Sequence, residues 1–438
     1  MVLPEDFISL MRQHLGEEQA ENLFRGLDEP PTVAVRFNQL KTSHLTLKRE
    51  QLGDPVPWCP DAYYLTERKA FTFDPLFHAG AYYVQDASSM YLASILARWL
   101  GVKGEGLRVK GEGLRVKGEG LRIKGEGLGV KDEGLRGNEN SSPFTLNPSP
   151  FYALDLCAAP GGKSTLLASC LPDGSTLISN EPIRKRAQVL AENMQKWGYP
   201  NCYVTSNYPC DFAHFRSCFD FILADVPCSG EGMFRKDAVA VSEWSLENVR
   251  YCVERQREIL QDILPTLRPG GMLVYSTCTF NRFEDEEQVQ WLVSEYGLQL
   301  LEERHFFPGR DRGEGLYMAA LLLPNEDNEN VEHREKDVLR KLRTLNVMAS
   351  VNDYNNQWLT IDGKLELSYS DAIHYLRHEA LHIPVPRGIL TVTYCDLPLG
   401  LVKSIGTRLN NLYPQEWRIR TTYNPTEPLP DFFLSNKR

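Results

Sequence analysis

The chain has 438 residues, 42% hydrophobic and 24% charged, with a formal charge of −10. That balance belongs to a folded chain of two or three domains with sizeable cores, not to a disordered or fibrous one. The acidic total excludes a uniformly basic nucleic-acid protein, so any nucleic-acid contact must come from local clusters.

Residues from 331 onward carry 14 Lys/Arg and 12 Asp/Glu, which leaves the remainder near −12 (−10 less +2). The opening stretch MVLPEDFISLMRQHLGEEQ lacks the basic and apolar regions of a signal peptide. No apolar run reaches the roughly 18 residues of a membrane span. Ten cysteines are scattered with no CxxC spacing, so neither a zinc site nor a disulfide framework is expected. These features lead us to expect a metal-free cytoplasmic monomer.

In chain order, residues 1–80 read as a small leading module. PEDFISLMRQHLG and EEQAENLFRGL are short amphipathic helices, TVAVRFNQL is a strand, and DPVPWCP breaks regular structure. A second domain is expected over 81–323. It begins with DASSMYLASILARWL, whose apolar residues Met90, Ala93, Leu96, Ala97 and Leu100 fall at helical spacing behind Ser N-cap candidates.

Five tandem seven-residue units then occupy 102–136, within an expected insertion at 101–150. A coiled coil is rejected, because Val102, Leu107, Val109 and Leu114 fall 5 and 2 apart instead of 3 and 4. Most units hold two glycines, each costing a helix about 1 kcal/mol relative to Ala. A flexible solvated loop is expected, either an inert expansion or, with 9 basic against 6 acidic residues, an RNA-tethering arm.

From residue 151 the pattern becomes strand, Gly turn, helix, with further strands in STLISNEP, NCYVTSN, FDFILADVPC and GGMLVYSTC. RKRAQVLAENMQKWG and ENVRYCVERQREILQDILPTL are the intervening helices. This alternation predicts a doubly wound, Rossmann-like α/β sheet. PNEDNENVEHREKD is a polar linker. A small α+β domain completes 324–438, with β-rich GILTVTYCDLPLGLVKSIG and helical DAIHYLRHEAL.

The loop after the first strand of this sheet runs Cys157, Ala158, Ala159, Pro160, Gly161, Gly162, Lys163. It lies where such folds bind nucleotide-like ligands, with glycines that admit close approach and a helix start that offers N–H groups. A P-loop would need glycine where Cys157 stands, and GxGxxG is absent. Glu181, 20 residues past Gly161, suits ribose hydroxyls. A mononucleoside ligand such as S-adenosylmethionine fits best.

The fourth strand ends in Asp225-Val-Pro-Cys228 and the fifth in Ser276-Thr-Cys278. Neighbouring strands would set one carboxylate and two thiols on the cofactor's edge of the sheet. That set suits methylation of cytosine C5, a poor nucleophile that becomes enamine-like once a thiolate adds to C6. Cysteine is both reactive and a workable leaving group. The other eight cysteines read as buried small hydrophobes.

LDLCAAPGGKST, DVPCSGEGMFRKD and YSTCTFNRFEDEEQV closely resemble the bacterial Sun/RsmF-type RNA cytosine-5 methyltransferases, relatives of the eukaryotic NSUN enzymes. VQDASSM is similar to a motif of the same family. GLVKSIGTRLNNLYPQEWRIR is similar to the C-terminal region of the branch acting on 16S ribosomal RNA. The resemblance implies an S-adenosylmethionine-dependent methyltransferase core with a C-terminal, PUA-like RNA-binding domain. It makes Cys278 the nucleophile, Cys228 the cysteine that assists proton removal and release, and Asp225 the base-contacting residue near the cofactor's methyl end. It assigns Cys157 to Lys163 and Glu181 to the cofactor. An acidic residue is expected near the adenine at position 208, where this chain has Tyr208. Either Asn207 substitutes, Tyr208 stacks on the adenine, or affinity is reduced.

Arg235 and Lys236 are candidates for phosphates, with Phe234 packing or stacking beside them. Glu284 to Glu287 read as a solvated helix start. In the C-terminal domain Lys403, Arg408, Arg418 and Arg420, around Tyr413 and Trp417, are candidates for docking RNA, although the two aromatics also suit a structural core. The target cytosine should be single-stranded or flipped out. Ribosomal RNA or the small ribosomal subunit is the expected partner, with a transfer-RNA methyltransferase and a catalytically weak ribosome assembly factor as the other readings.

Overall fold

Two amphipathic helices, Glu5–Leu15 and Glu17–Asp28, start with acidic first turns that suit the helix dipole. The computed structural model describes residues 2–103, 151–325, 338, 340–356, 363–421 and 429–433. The repeat insertion from residue 104, and with it the expectation of a flexible arm, lies outside them, as does most of the polar linker. The apolar faces of the two helices (Phe7, Met11, Leu23, Leu27) pack on Phe234, Trp244 and Phe280. Gly26 makes that approach possible, because a Cβ there would stand 2.2 Å from the backbone of Pro308 and Gly309.

The leading module also contains an antiparallel sheet of β1 (Ala34–Phe37), β2 (Ala62–Tyr64) and β3 (Tyr82–Val84), in the order β2-β1-β3. Its third strand lies just past residue 80. Helix Tyr91–Lys103 follows.

The central sheet has eight strands: β4 (Tyr152–Asp155), β5 (Thr176–Asn180), β6 (Cys202–Thr205), β7 (Phe219–Asp225), β8 (Leu267–Thr277), β9 (Gln299–Phe306), β10 (Leu316–Leu322) and β11 (Val347–Ser350). Their order is β11-β6-β5-β4-β7-β8-β10-β9. Strands β4 to β8 are parallel. Alternate residues serve opposite layers: Ala153, Leu177 and Phe221 face one core, while Leu154, Ile178 and Ile222 face the other. Burial on both faces explains the nearly unbroken apolar strands. Strand order reverses between β4 and β7, the switch point at which doubly wound sheets bind ligands.

Residues 347–350 fall within the expected linker and C-terminal domain, yet β11 pairs antiparallel with β6, Val347 opposite Thr205, and forms an edge of the central sheet. A second, four-stranded sheet starts only at β12 (Lys364–Glu366), with β13 (Gly388–Tyr394), β14 (Leu397–Ser404), β15 (Leu409–Asn411) and helix Tyr369–Leu376. This unit is not isolated. Val35, Phe37 and Tyr82 of the leading module share one core with Val392, Tyr375 and Phe432. Phe432 meets the rings of Phe37 and Tyr82 at 5.7 and 5.2 Å, and its carbonyl accepts the Lys48 N–H at 2.7 Å. Each small sheet lacks enough surface to bury its own apolar face, so the two bury each other. Among the described residues, no helix is long and apolar enough to cross a membrane.

Gly26→Ala is expected to lose about 1–3 kcal/mol by overpacking, read as a lower melting temperature and faster proteolysis of the two leading helices.

Candidate active site

Strand β4 delivers the 157–163 loop, and Gly161 takes φ +114 before helix Gly162–Cys170. The loop is held from below. The Ala158 N–H donates to the Asn180 carbonyl at 2.8 Å. Asn180, fully buried, donates to the carbonyls of Leu156 and Asn207 at 3.1 and 3.0 Å and accepts from the Asn207 N–H at 3.0 Å. One side chain thus ties the ends of β4, β5 and β6.

Glu181 directly follows β5, with its carboxylate 1% exposed. It accepts from the Ile183 N–H at 3.0 Å and lies 3.3 Å from Arg186, which donates to the Ala159 carbonyl at 3.2 Å. Ile183 and Tyr208 are exposed apolar side chains at 53% and 66%. A carboxylate fixed at a strand end, free N–H groups at a helix start and two exposed apolar surfaces fit a nucleoside bearing an amino-acid tail. Asp155, under the loop, accepts from Ser164 Oγ at 2.5 Å, and burial pushes it up to about 7. Burial also pushes the Cys157 thiol up, with Asp155 and Asp225 adding to the effect.

The register of β7 and β8 sets Asp225 opposite Ser276. The two strands then turn within three residues of each other, and Cys228 Sγ stands 3.2 Å from Cys278 Sγ. The Cys278 N–H also donates to Cys228 Sγ at 3.3 Å. Contact with Cys278 and burial raise the Cys228 pKa well above that of an ordinary thiol, so Cys228 holds its proton. Lys163 reaches over from the cofactor loop to Asp225, Nζ to Oδ2 2.8 Å. Burial opposes the lysine's charge, but Asp225 outweighs it and raises the Lys163 pKa. Nucleophile candidate, proton-bearing neighbour and ion pair therefore share one edge of the sheet.

Residues 144–331 match the family model for 16S rRNA methyltransferase RsmB/F. Residues 3–87 match the N-terminal domain of 16S rRNA methyltransferase RsmF, and 363–419 the RsmF PUA domain. The chain belongs to the RsmB/F methyltransferase family. It is similar to the ribosomal RNA small subunit methyltransferase F of Cronobacter sakazakii, 26% identical over 94% of this chain and 96% of that protein. The Klebsiella pneumoniae protein of the same name is 32% identical over 67% of this chain and 54% of its own length. NSun6 from Pyrococcus horikoshii with SFG shares the fold, with a TM-score of 0.51 at 17% identity over 74% of this chain and 99% of that one. A Pyrococcus horikoshii methyltransferase homolog shares it too, with a TM-score of 0.53 at 21% identity over 73% and 95%. As a member of the family, the protein is an S-adenosylmethionine-dependent RNA methyltransferase.

Within that family frame, several polar residues differ from their sequence reading. Arg235, expected to hold phosphate, is only 3% exposed. Its guanidinium pairs with Glu314 at 3.0 Å and donates to the Gly26, Pro30 and Gly313 carbonyls, which fastens the leading module. Phe234 is buried against Phe7 at 5.1 Å, so of its two expected roles it packs in the core. Lys236 stays 35% exposed.

Glu284 and Asp285, read as solvated, are fully buried, whereas Glu287 alone of the run is exposed. Asp285 takes the hydroxyls of Thr277 and Thr279, the two neighbours of Cys278. The Asn207 side chain is already engaged, accepting from the Asn346 N–H at 3.0 Å and donating to Asp211 at 3.3 Å. Lys403, Arg408, Arg418 and Arg420 are exposed. Tyr413 is core, and Trp417 lies beneath Lys196 at 5.2 Å, so these aromatics pack between units. The sequence assigned Lys163 to the cofactor loop alone, and it missed Asn180 and Arg186. Their signal is only positional, at a strand end and in the first turn of a helix.

Arg235→Ala should cost roughly 3–5 kcal/mol by removing the buried guanidinium that pairs with Glu314, whereas Lys236→Ala should stay within about 0.5 kcal/mol. Thermal unfolding separates the two. Asp155 ionises near pH 4 when unfolded and at about 7 when folded. The folded state therefore binds the extra proton, and this contribution is complete below about pH 4 and lost as pH rises to 7. Asp155→Asn should flatten the fall in melting temperature between about pH 4 and 7.

Proposed function

We propose that this protein methylates C5 of a cytosine in 16S ribosomal RNA through a covalent bond from Cys278 to C6, resolved with help from Cys228. The observation that carries the reading is the 3.2 Å sulfur pair beside the Lys163–Asp225 ion pair. Residues 157–163 and Glu181 would hold S-adenosylmethionine, which when bound supplies an electrophilic methyl group.

The chain's own residues account for the remaining steps. The Cys278 thiolate adds to C6, and the displaced electron pair makes C5 nucleophilic. Lys163 offsets the negative charge that develops on the ring, and Asp225, fixed by that lysine, engages the base. Once C5 carries its methyl group, its proton must leave and the C6–S bond must break. Cys228 gives its proton to the departing Cys278 sulfur and takes the C5 proton in exchange. Ring aromaticity returns, and Cys278 sheds its proton to solvent before the next cycle. The exchange needs the donor thiol within reach of the leaving sulfur, which the spacing supports.

The exposed Lys236, Lys403, Arg408, Arg418 and Arg420 would grip phosphates and orient the RNA without reading its sequence. We take the enzyme to act as a cytoplasmic monomer on the small ribosomal subunit or its RNA.

With 16S RNA and cofactor, Cys228→Ala should accumulate a protein–RNA adduct that survives denaturing electrophoresis, whereas Cys278→Ala should give none. An adduct in Cys278→Ala alone would exchange the two roles. Replacing Lys403 and Arg408 together by alanine should weaken RNA binding and shallow its salt dependence by about two charges, with little effect on cofactor binding.

A further inference from the structure

The turn after β7 and the turn after β8 are joined by more than their strands. The Gly232 N–H donates to the Cys278 carbonyl at 2.8 Å. Glu231 and Glu284, both fully buried, supply the other links. Glu231 belongs to the Cys228 turn, and its carboxylate accepts from the Phe280 N–H at 2.6 Å, from Asn281 Nδ2 at 2.9 Å and from Trp244 Nε1 at 3.0 Å. Glu284 belongs to the Cys278 turn and accepts from the Ser229 N–H at 3.0 Å and from Gln256 Nε2 at 2.8 Å. Asn281 Nδ2 donates to both carboxylates, 2.9 Å to each. Each turn thus sends a buried carboxylate to the backbone of the other, and one amide bridges the pair.

Burial pushes Glu231 up to about 7, with the charge of Glu284 adding to the rise. Two carboxylates kept dry and close together are unfavourable unless hydrogen-bond donors meet them, and here both oxygens of each accept from protein donors. A well-packed apolar pair would be cheaper for stability alone. Neither carboxylate touches the cofactor loop.

We infer that Glu231 and Glu284 are positioning residues that clamp the two cysteine turns together and so set the Cys228–Cys278 sulfur separation that turnover requires. The link to turnover rests on the proposed roles of the two cysteines; the clamp on sulfur spacing does not.

The test uses the full chain as wild type, Glu231→Gln and Glu231→Ala, each checked for cooperative melting and cofactor binding. Diamide, a diazene, oxidises two neighbouring thiols to a disulfide and is itself reduced to the hydrazine, taking up both protons and both electrons. Alkylation and peptide mass mapping then give the rate at which the 228–278 disulfide forms. That rate should fall about tenfold in Glu231→Ala and less in Glu231→Gln, because exchange depends on which sulfur is within reach. Turnover should fall up to about 10²-fold with the cofactor KM nearly unchanged, as expected for misplaced reacting groups.

Folded variants with wild-type disulfide and turnover rates would overturn the inference, as would slow disulfide formation with unimpaired turnover. If wild type forms no Cys278 adduct with RNA but the variants still oxidise slowly, the proposed chemistry falls and the clamp stands.

Discussion

The pairing of β7 with β8, Asp225 opposite Ser276, is the constraint on which the site depends. Parallel strands in a doubly wound sheet deliver their carboxyl ends to one edge. Here two adjacent strands end in register, so residues 50 positions apart in the chain meet with sulfurs at 3.2 Å. A slip of one residue would send each terminal side chain to the opposite face. The apolar cores on both faces of the sheet make that slip costly, since Phe221, Ile222 and Leu223 each have a fixed layer to fill.

The leading module reinforces this edge from outside, and the C-terminal unit packs on that module in turn. Phe280, two residues past Cys278, and Phe234, six past Cys228, both enter the core formed with the first helices. Arg235 and Glu314 fasten the same contact with charge. The C-terminal unit packs on the leading module and meets helix Arg184–Trp197 through Trp417, with Lys196 over its ring. The exposed Lys403, Arg408, Arg418 and Arg420 therefore sit on a unit that is packed against the rest of the protein.

Much of this was legible in the sequence. Strand–turn–helix alternation identified the parallel sheet because buried strands are apolar throughout, and the two cysteine motifs pointed to the sheet edge where Cys228 and Cys278 meet. Less legible than the meeting of Cys228 and Cys278, whose chemistry stays a proposal, was the fate of polar residues. Arg235, Glu284 and Asp285 look solvated by composition, and only tertiary partners such as Glu314, Ser229 and Thr277 show them to be internal. The Lys163–Asp225 pair joins loops 62 residues apart, beyond any local pattern. The edge strand β11 escaped for a similar reason: Val347–Ser350 is short, half-exposed and flanked by polar chain, and acquires its strand character from β6.

The central claim is that methyl transfer proceeds at C5 by way of Cys278, and the C5 hydrogen reports on it directly. With 16S RNA carrying tritium at cytosine C5, the wild-type enzyme should release one tritium to water for each methyl group incorporated, and Cys278→Ala should release none. Methyl incorporation without tritium release would place the methyl elsewhere on the RNA and contradict the account.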